Sequence, residues 1–190
     1  MKKLLIFLFV ILINFSAYAK LILKTGDILL QPLHCWSCNL IEAETESIYS
    51  HIGVVIKTYK DDVFVAEAFG KVKIVSFDEF NKKTQKGLKL KVMRPRFVAS
   101  DLYEIYLKNF HGLPYDSGFR WDDSKIYCSE LLNKLFMKAG MLYPIEIPMT
   151  FTHNREYWLK FFKGNIPDGE LGISPRDYDD ESLYEFIGEI

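Results

Sequence analysis

The sequence predicts an α+β fold in a single domain, on three observations. Strand-type patterning is confined to the first half of the chain, and helix-type periodicity takes over past Pro95. A chain of 190 residues, 49% hydrophobic and 15% aromatic, also has enough apolar side chain to bury one sizeable core. With 24 Lys and Arg against 25 Asp and Glu, the formal charge is −1, so no basic excess exists for phosphates and a nucleic-acid partner is excluded.

Residues 1–19 read as a secretory leader. Lys2 and Lys3 precede an apolar run from Leu4 to Phe15, and Ala17-Tyr18-Ala19 supplies the small-residue cleavage pattern. The run is far shorter than the roughly 20 residues of a membrane-crossing helix, so the mature chain is expected to carry no transmembrane span; an uncleaved N-terminal anchor is the alternative. No Cys lies just after Ala19 to accept a lipid. Removing 19 of the 190 residues leaves 171 and takes away two lysines, moving the charge to −3. The expected location is the periplasm or the exterior, and the expected domain is 20–190.

Within that domain, Gly26-Asp27 turns into an apolar strand, Ile28-Leu29-Leu30-Gln31, stopped by Pro32. Residues Ile41 to Glu46 could form a helical turn or two. His51 to Tyr59 and Val63 to Phe69, rich in Ile and Val and separated by Lys60-Asp61-Asp62, predict a hairpin. Lys89 to Arg94 alternates and stops at Pro95, a further strand. Ala99 to Phe110 predicts a helix ending near Gly112. The strongest helix follows, with Cys128, Leu131, Leu132, Leu135, Phe136 and Ala139 on one stripe and Gly140 as its stop. Arg155 to Phe162 predicts another, and the acidic tail from Asp177 to Ile190 a last one.

Export changes what the three cysteines mean. Cys35 and Cys38 form a C-x-x-C that closes as a disulfide in an oxidising compartment and leaves Cys128 as an unpaired thiol. A redox role for the pair lacks the surrounding βαβ pattern, and a zinc site built on His34, Cys35 and Cys38 lacks a second ligand pair. Neither a metal nor another cofactor is expected.

Asp122, Asp123 and Ser124 are candidate caps, which places Cys128 in the opening turns of its helix, where free N–H groups and the aligned peptide dipoles favour a thiolate and can hold an oxyanion. Cys128 is equally readable as the first apolar knob of the stripe. A Cys nucleophile needs a base, and the base needs an orienting group. A turn centred near Tyr59 or Lys60 brings His51 and Glu67 to one face of the hairpin, opposite or one diagonal apart, whereas a half-residue shift separates them. Glu67 is unusual among Val65, Ala66, Ala68 and Phe69, and a carboxylate facing a histidine supports its imidazolium.

Five segments in order carry a resemblance: Gly26 to Gln31, Ser50 to Val55, Ala66-Glu67-Ala68, Pro114-Tyr115-Asp116 and Tyr127 to Leu131. They resemble the permuted papain-like cysteine amidases, the YiiX/YaeF-like branch of the NlpC/P60 superfamily, and Gly172-Ile173-Ser174-Pro175 is similar to that branch's closing segment. His51 precedes Cys128, as in the permuted members and the lecithin retinol acyltransferase-like group. The resemblance implies a circularly permuted papain-like (NlpC/P60-type) fold, a small antiparallel sheet packed on the Cys-bearing helix, with Cys128 as nucleophile, His51 as base and Glu67 as third member. Tyr115 reads as a cleft or oxyanion residue or as part of a Pro-Tyr-Asp turn. Tyr127 reads as core or as the oxyanion side of the nucleophile, and Ser129 joins it as a cleft candidate. His34 to Cys38 departs from the pattern and reads as a structural clip near the cleft wall; His111 and His153 read as surface or packing residues.

The function these readings imply is hydrolysis of an amide in a small-molecule, peptide or lipid-amide substrate. The resemblance leaves open a cell-wall peptide and an amide carrying a lipid or amino acid, and no SH3-like or LysM-like wall-binding segment is present. Acyl transfer or lipid ester or thioester hydrolysis on the same residues, and an inactive binding protein, are the alternatives.

Overall fold

The computed structural model describes residues 21–190 other than Trp36; the leader expected over 1–19 lies outside the described residues. Among the described residues, eight strands and five α-helices follow one another as β1 (Ile28–Gln31), α1 (Cys38–Thr45), β2 (His51–Tyr59), β3 (Asp62–Phe69), β4 (Lys71–Ser76), α2 (Phe77–Asn81), β5 (Lys91–Pro95), α3 (Leu102–Asn109), α4 (Cys128–Lys138), β6 (Ile147–Pro148), α5 (Arg155–Phe161), β7 (Leu171–Gly172) and β8 (Tyr184–Glu189). Six strands make one antiparallel sheet in the order β4-β3-β2-β1-β5-β8, and β6 and β7 make a separate small pair. Among the described residues no helix is long and apolar enough to cross a membrane.

Central strands of such a sheet are covered on both sides, and their sequence shows it: all four residues of β1 are buried. Ile28, Leu30, Ile52 and Val54 enter one core with Leu131, Leu132, Leu135 and Phe136 of α4 and Tyr106 of α3. Leu29, Val55, Val65 and Val92 enter a second, smaller core closed by Phe80 of α2. The four α4 side chains are fully buried; at about 1.5 to 3 kcal/mol each, they are what anchors the Cys-bearing helix.

Two segments differ from the sequence expectation. The tail expected as a helix from Asp177 is a 3₁₀ turn, Pro175–Tyr178, followed by the edge strand β8. The open edge of β5 takes Tyr184 to Glu189 as a sixth strand, with Tyr184 opposite Pro95 and Phe186 opposite Met93, and aromatic residues at 184 and 186 suit a pleated surface better than a helix. β4 and α2, between Phe69 and Lys82, were not anticipated as elements; Lys71 to Ser76 pairs along β3 and Ser76 caps α2 by accepting from the Glu79 N–H at 3.1 Å.

The β2–β3 hairpin turns on two residues, Lys60 and Asp61, with Tyr59 opposite Asp62 and Lys60 at φ 54°. That is the half-residue centre that separates His51 from Glu67. A bulge reverses it: Lys57 faces Phe64 but Val55 faces Val65, so Ile56 is the extra residue, and beyond it Gly53 stands opposite Glu67. His51 and Glu67 are thereby one diagonal apart on a common face.

Gly53 sits in the middle of that face. A Cβ there would come within 2.7 Å of both Phe80 Cε2 and Val65 Cγ1. Gly53→Ala is therefore expected to destabilise the fold by about 1 to 3 kcal/mol, read as a lower urea midpoint with an unchanged slope. Glu130, in the first turn of α4, is fully buried; it accepts the Tyr127 N–H at 3.2 Å and pairs with Lys134 at 2.8 Å. Burial pushes its carboxyl up to about 7 against the pull of Lys134. An acid whose folded value is raised holds its proton in the native state, so stability falls as pH climbs from about 4.5 to 7. Urea titrations at pH 5 and pH 8 should show the stability difference between Glu130→Gln and wild type moving by about 2 to 3 kcal/mol in favour of the variant.

Candidate active site

Three elements bring the candidate residues together. Tyr127 is extended, at φ −97° and ψ 173°, and Cys128 is the first residue of α4. The first intrahelical bond is donated by the Leu131 N–H to the Tyr127 carbonyl at 2.9 Å, so the N–H groups of Cys128, Ser129 and Glu130 have no acceptor one turn back. They form the positive end of the helix beside the thiol. Cys128 is free and buried.

His51 opens β2, so its ring stands at the end of the strand, where the first turn of α4 meets it. Its Nε2 and Glu67 Oε2 are 2.9 Å apart, and the ring interacts electrostatically with Cys128. With Nε2 engaged by the carboxylate, Nδ1 is the ring nitrogen not bonded to Glu67. Phe80 stacks on the imidazole at 5.7 Å and Phe69 meets it edge-on at 5.8 Å, leaving it only 3% exposed. Burial pulls the His51 pKa down, but hydrogen bonds and charge interactions with Cys128 and Glu67 outweigh it, and the net direction is upward from 6.5. For Glu67 burial acts upward, and His51 and Lys83 together bring the carboxyl down to about 2. Glu67 is thus an anion throughout the physiological range.

Cys128 forms part of the floor of a cavity of about 200 Å³, together with Tyr115, Tyr127 and Ser129. Ile41 and Thr45 of α1 make one wall, Met149, Phe151 and Trp158 another, and Ile173 to Asp177 a third. Ser50 reaches it; His51 and Glu67 do not line it. The lining surface is mainly apolar.

The remaining sequence candidates take these positions. Tyr127 accepts the Ile173 N–H on its hydroxyl at 3.1 Å, and the Ser129 hydroxyl donates to the Ile173 carbonyl at 2.8 Å. Both therefore tie the closing segment to the start of α4. Tyr115 is half-buried against the cavity, its hydroxyl pushed well up in pKa by burial and then by Cys128. Asp116 holds the Pro-Tyr-Asp turn, accepting the N–H groups of Gly118 at 2.8 Å and Arg120 at 2.5 Å. Cys35 and Cys38 are joined as a disulfide at the head of α1. His111 hydrogen-bonds Tyr106, and His153 faces Glu44 at the surface.

Several participants are given no role in the site by the sequence reading. Glu44 of α1 accepts the Trp158 Nε1–H at 2.7 Å and the Thr152 N–H at 2.9 Å, holding one cavity wall against another. Asp27, in the first matching segment, is a fully buried carboxylate gripped by Arg94 through Nε at 2.6 Å and Nη2 at 2.8 Å. Lys83 donates to both oxygens of Glu67. The signal available for Lys83 was indirect: a carboxylate inside an apolar strand requires a cation.

A profile of the family described as permuted papain-like amidase enzyme, YaeF/YiiX, matches residues 22–155. The uncharacterized protein YiiX of Escherichia coli is 34% identical over 168 residues, 80% of this chain and 80% of that protein. A solved structure described as metalloprotein yiiX from Escherichia coli superposes with a TM-score of 0.78 at 25% identity, covering 88% of this chain and 97% of that one. The metal belongs to the description of that protein. Here, among the described residues, no group of three or more His, Cys, Asp and Glu side chains is placed to hold a metal ion, and Glu67, the carboxylate at His51, is already engaged by lysine on both oxygens. These donors do not fit a metal centre. In sequence over most of its described length and in fold, this chain belongs to the permuted papain-like amidase family of the YaeF/YiiX type.

Proposed function

We propose that this protein is a thiol-dependent hydrolase of amides with an apolar acyl group. The observation that carries the reading is a buried imidazole hydrogen-bonded to a carboxylate and interacting electrostatically with a free thiol, with that thiol lining an apolar cavity. Cys128, as thiolate, attacks the carbonyl carbon while His51 holds the thiol proton. The carbonyl oxygen becomes an oxyanion facing the N–H groups at the start of α4. Collapse of the tetrahedral adduct breaks the C–N bond, the His51 proton goes to the departing amine, and a thioester remains on Cys128. A water deprotonated by His51 then releases the acid and restores the thiol. Glu67 keeps the ring oriented and supports its charge throughout.

The cavity supports a choice of substrate. An amide at the thiol must place its leaving nitrogen toward the imidazole. A cavity that touches Cys128 and not His51 therefore lies on the acyl side, and its apolar lining suits a hydrocarbon chain better than a cell-wall peptide. The same thioester passed to an alcohol or amine instead of water is acyl transfer. The leader-like residues 1–19 and the Cys35–Cys38 pair support a periplasmic or secreted location for this activity.

Iodoacetamide should alkylate Cys128 of the intact protein near neutral pH faster than a small-molecule thiol, and His51→Ala should remove the difference; equal rates in both proteins would sink the dyad. In a hydrolysis assay on N-acyl amino acids, kcat/KM should rise with acyl chain length, by up to about 3-fold to 4-fold per buried methylene, and vanish in Cys128→Ala. A flat dependence on chain length with turnover of muropeptides would reverse the assignment of the cavity.

A further inference from the structure

Glu67 has no exposed surface, yet it must remain an anion if it is to support a charged imidazole. One histidine does not secure this, because a buried carboxyl beside a neutral ring takes up a proton readily. The structure answers with a second cation. Lys83 Nζ lies 2.5 Å from Glu67 Oε1 and 2.6 Å from Oε2, a symmetric clasp that leaves Oε2 also facing His51. The ammonium sits over the rings of Phe69 at 4.8 Å and Phe80 at 5.4 Å, the two rings that enclose His51 from its faces and edge. Imidazole and ammonium share one aromatic box with one carboxylate between them.

The chain around Lys83 is fastened for this purpose. The His34 N–H donates to the Lys83 carbonyl at 3.2 Å, and the Gln85 N–H to the Pro32 carbonyl at 2.8 Å. The fully buried Gln31 donates from Nε2 to the Phe80 carbonyl at 2.8 Å and to Thr84 Oγ1 at 2.9 Å. A lysine held only to solvate a loop needs none of these attachments. Lys73 of β4, opposite Glu67 in the sheet, is a weaker companion at 3.7 Å from Oε1.

Resting on the thiol mechanism proposed above, we propose that Lys83 is a positioning residue of the site: it fixes both oxygens of Glu67 and, by drawing on the same carboxylate as His51, limits how tightly the imidazole holds its proton. Without that limit the imidazolium is a poorer donor to the leaving amine. The titratable groups that face the pair are Cys128 from α4, Lys73 from β4, Lys83 after α2 and Tyr106 from α3, whose hydroxyl is pushed up in part by Glu67, with Tyr115 beside Cys128.

The test uses the full chain in four forms: wild type, Lys83→Met, Lys83→Arg and the exposed neighbour Lys82→Met. The readout is the His51 ring titration followed by NMR on histidine-labelled protein, beside the pH profile of Cys128 alkylation. Removing the cation nearest the carboxylate should move the His51 midpoint upward by roughly one pH unit, with the alkylation profile moving alike; Lys83→Arg should restore the wild-type value and Lys82→Met should leave it alone. If Lys83→Met does not fold, Lys83→Gln, which keeps a donor without the charge, is read in its place. A midpoint within about 0.2 units of wild type in the folded variant, even with reduced melting temperature, assigns Lys83 a structural role only and overturns the proposal. The titration does not depend on turnover, so failure of the thiol mechanism, seen as equal alkylation of wild type and His51→Ala, is a separate result.

Discussion

The 2.9 Å contact between His51 Nε2 and Glu67 Oε2 depends on one surplus residue in β2. From the turn outward, Tyr59 to Lys57 pair in a register that would set Glu67 opposite Val54, on the far side of the sheet from His51. Ile56 bulges, the register advances by one, and the carboxylate crosses to the face of the imidazole. Everything else in the site is arranged around that crossing. Gly53, now opposite Glu67, has to be glycine because Phe80 and Val65 occupy the space its side chain would need. Phe80 comes forward to stack on the ring, and α2, which carries it, delivers Lys83 one turn later.

Burying this much charge is expensive unless each ion has its partner, and the site meets that condition by sharing. One carboxylate serves an imidazole and an ammonium, and each cation also finds an aromatic face. The same logic recurs elsewhere in the chain: Asp27 with Arg94 at the foot of β1, and Glu130 with Lys134 on α4. The outcomes differ for a physical reason. Arg94 grips Asp27 with a two-pronged fork, and Lys83 reaches both oxygens of Glu67, whereas Lys134 reaches Glu130 on one oxygen and divides itself with Asp123. Burial therefore prevails at Glu130, whose carboxyl rises to about 7, and loses at Glu67, which falls to about 2.

The parts of this arrangement legible in the sequence are those with a short-range signature. The α4 stripe announced a core helix with Cys128 at its head, and the Ile and Val content of β2 and β3 announced the hairpin. That His51 and Glu67 meet also followed from parity, although the route was different: a whole-residue turn was expected, and a half-residue turn with a compensating bulge is found. Bulges leave no mark in periodicity when the extra residue is apolar on both counts, as Ile56 is. Lys83 was hidden for another reason. It lies in Asn81-Lys82-Lys83-Thr84-Gln85-Lys86, which has the composition of a solvated loop, and only the long-range bonds from Gln31, Pro32 and His34 single out one of its lysines. The tail was misjudged because an acidic, aromatic segment has no strong local preference, and the vacant edge of β5 decided in favour of β8.

The segment that departs from the family pattern, His34 to Cys38, acquires its meaning from what it is tied to on each side. Its first residue donates to the Lys83 carbonyl, and its last residue opens α1 with a disulfide across the entry. From α1, Glu42 accepts the Ser50 hydroxyl at 3.0 Å, next to His51, and Glu44 holds Trp158 and Thr152 across the cavity. The Thr45 carbonyl accepts from Arg176 on the third wall at 3.0 Å. An eight-residue helix is too short to be stable alone. Fastened at its head by a covalent link and along its length by these three attachments, it can act as a strut between the imidazole strand, the aromatic wall and the closing segment. The disulfide and the cavity are then parts of one construction: the link limits how far α1 can swing, and α1 keeps the apolar walls at the spacing that leaves the cavity open above Cys128.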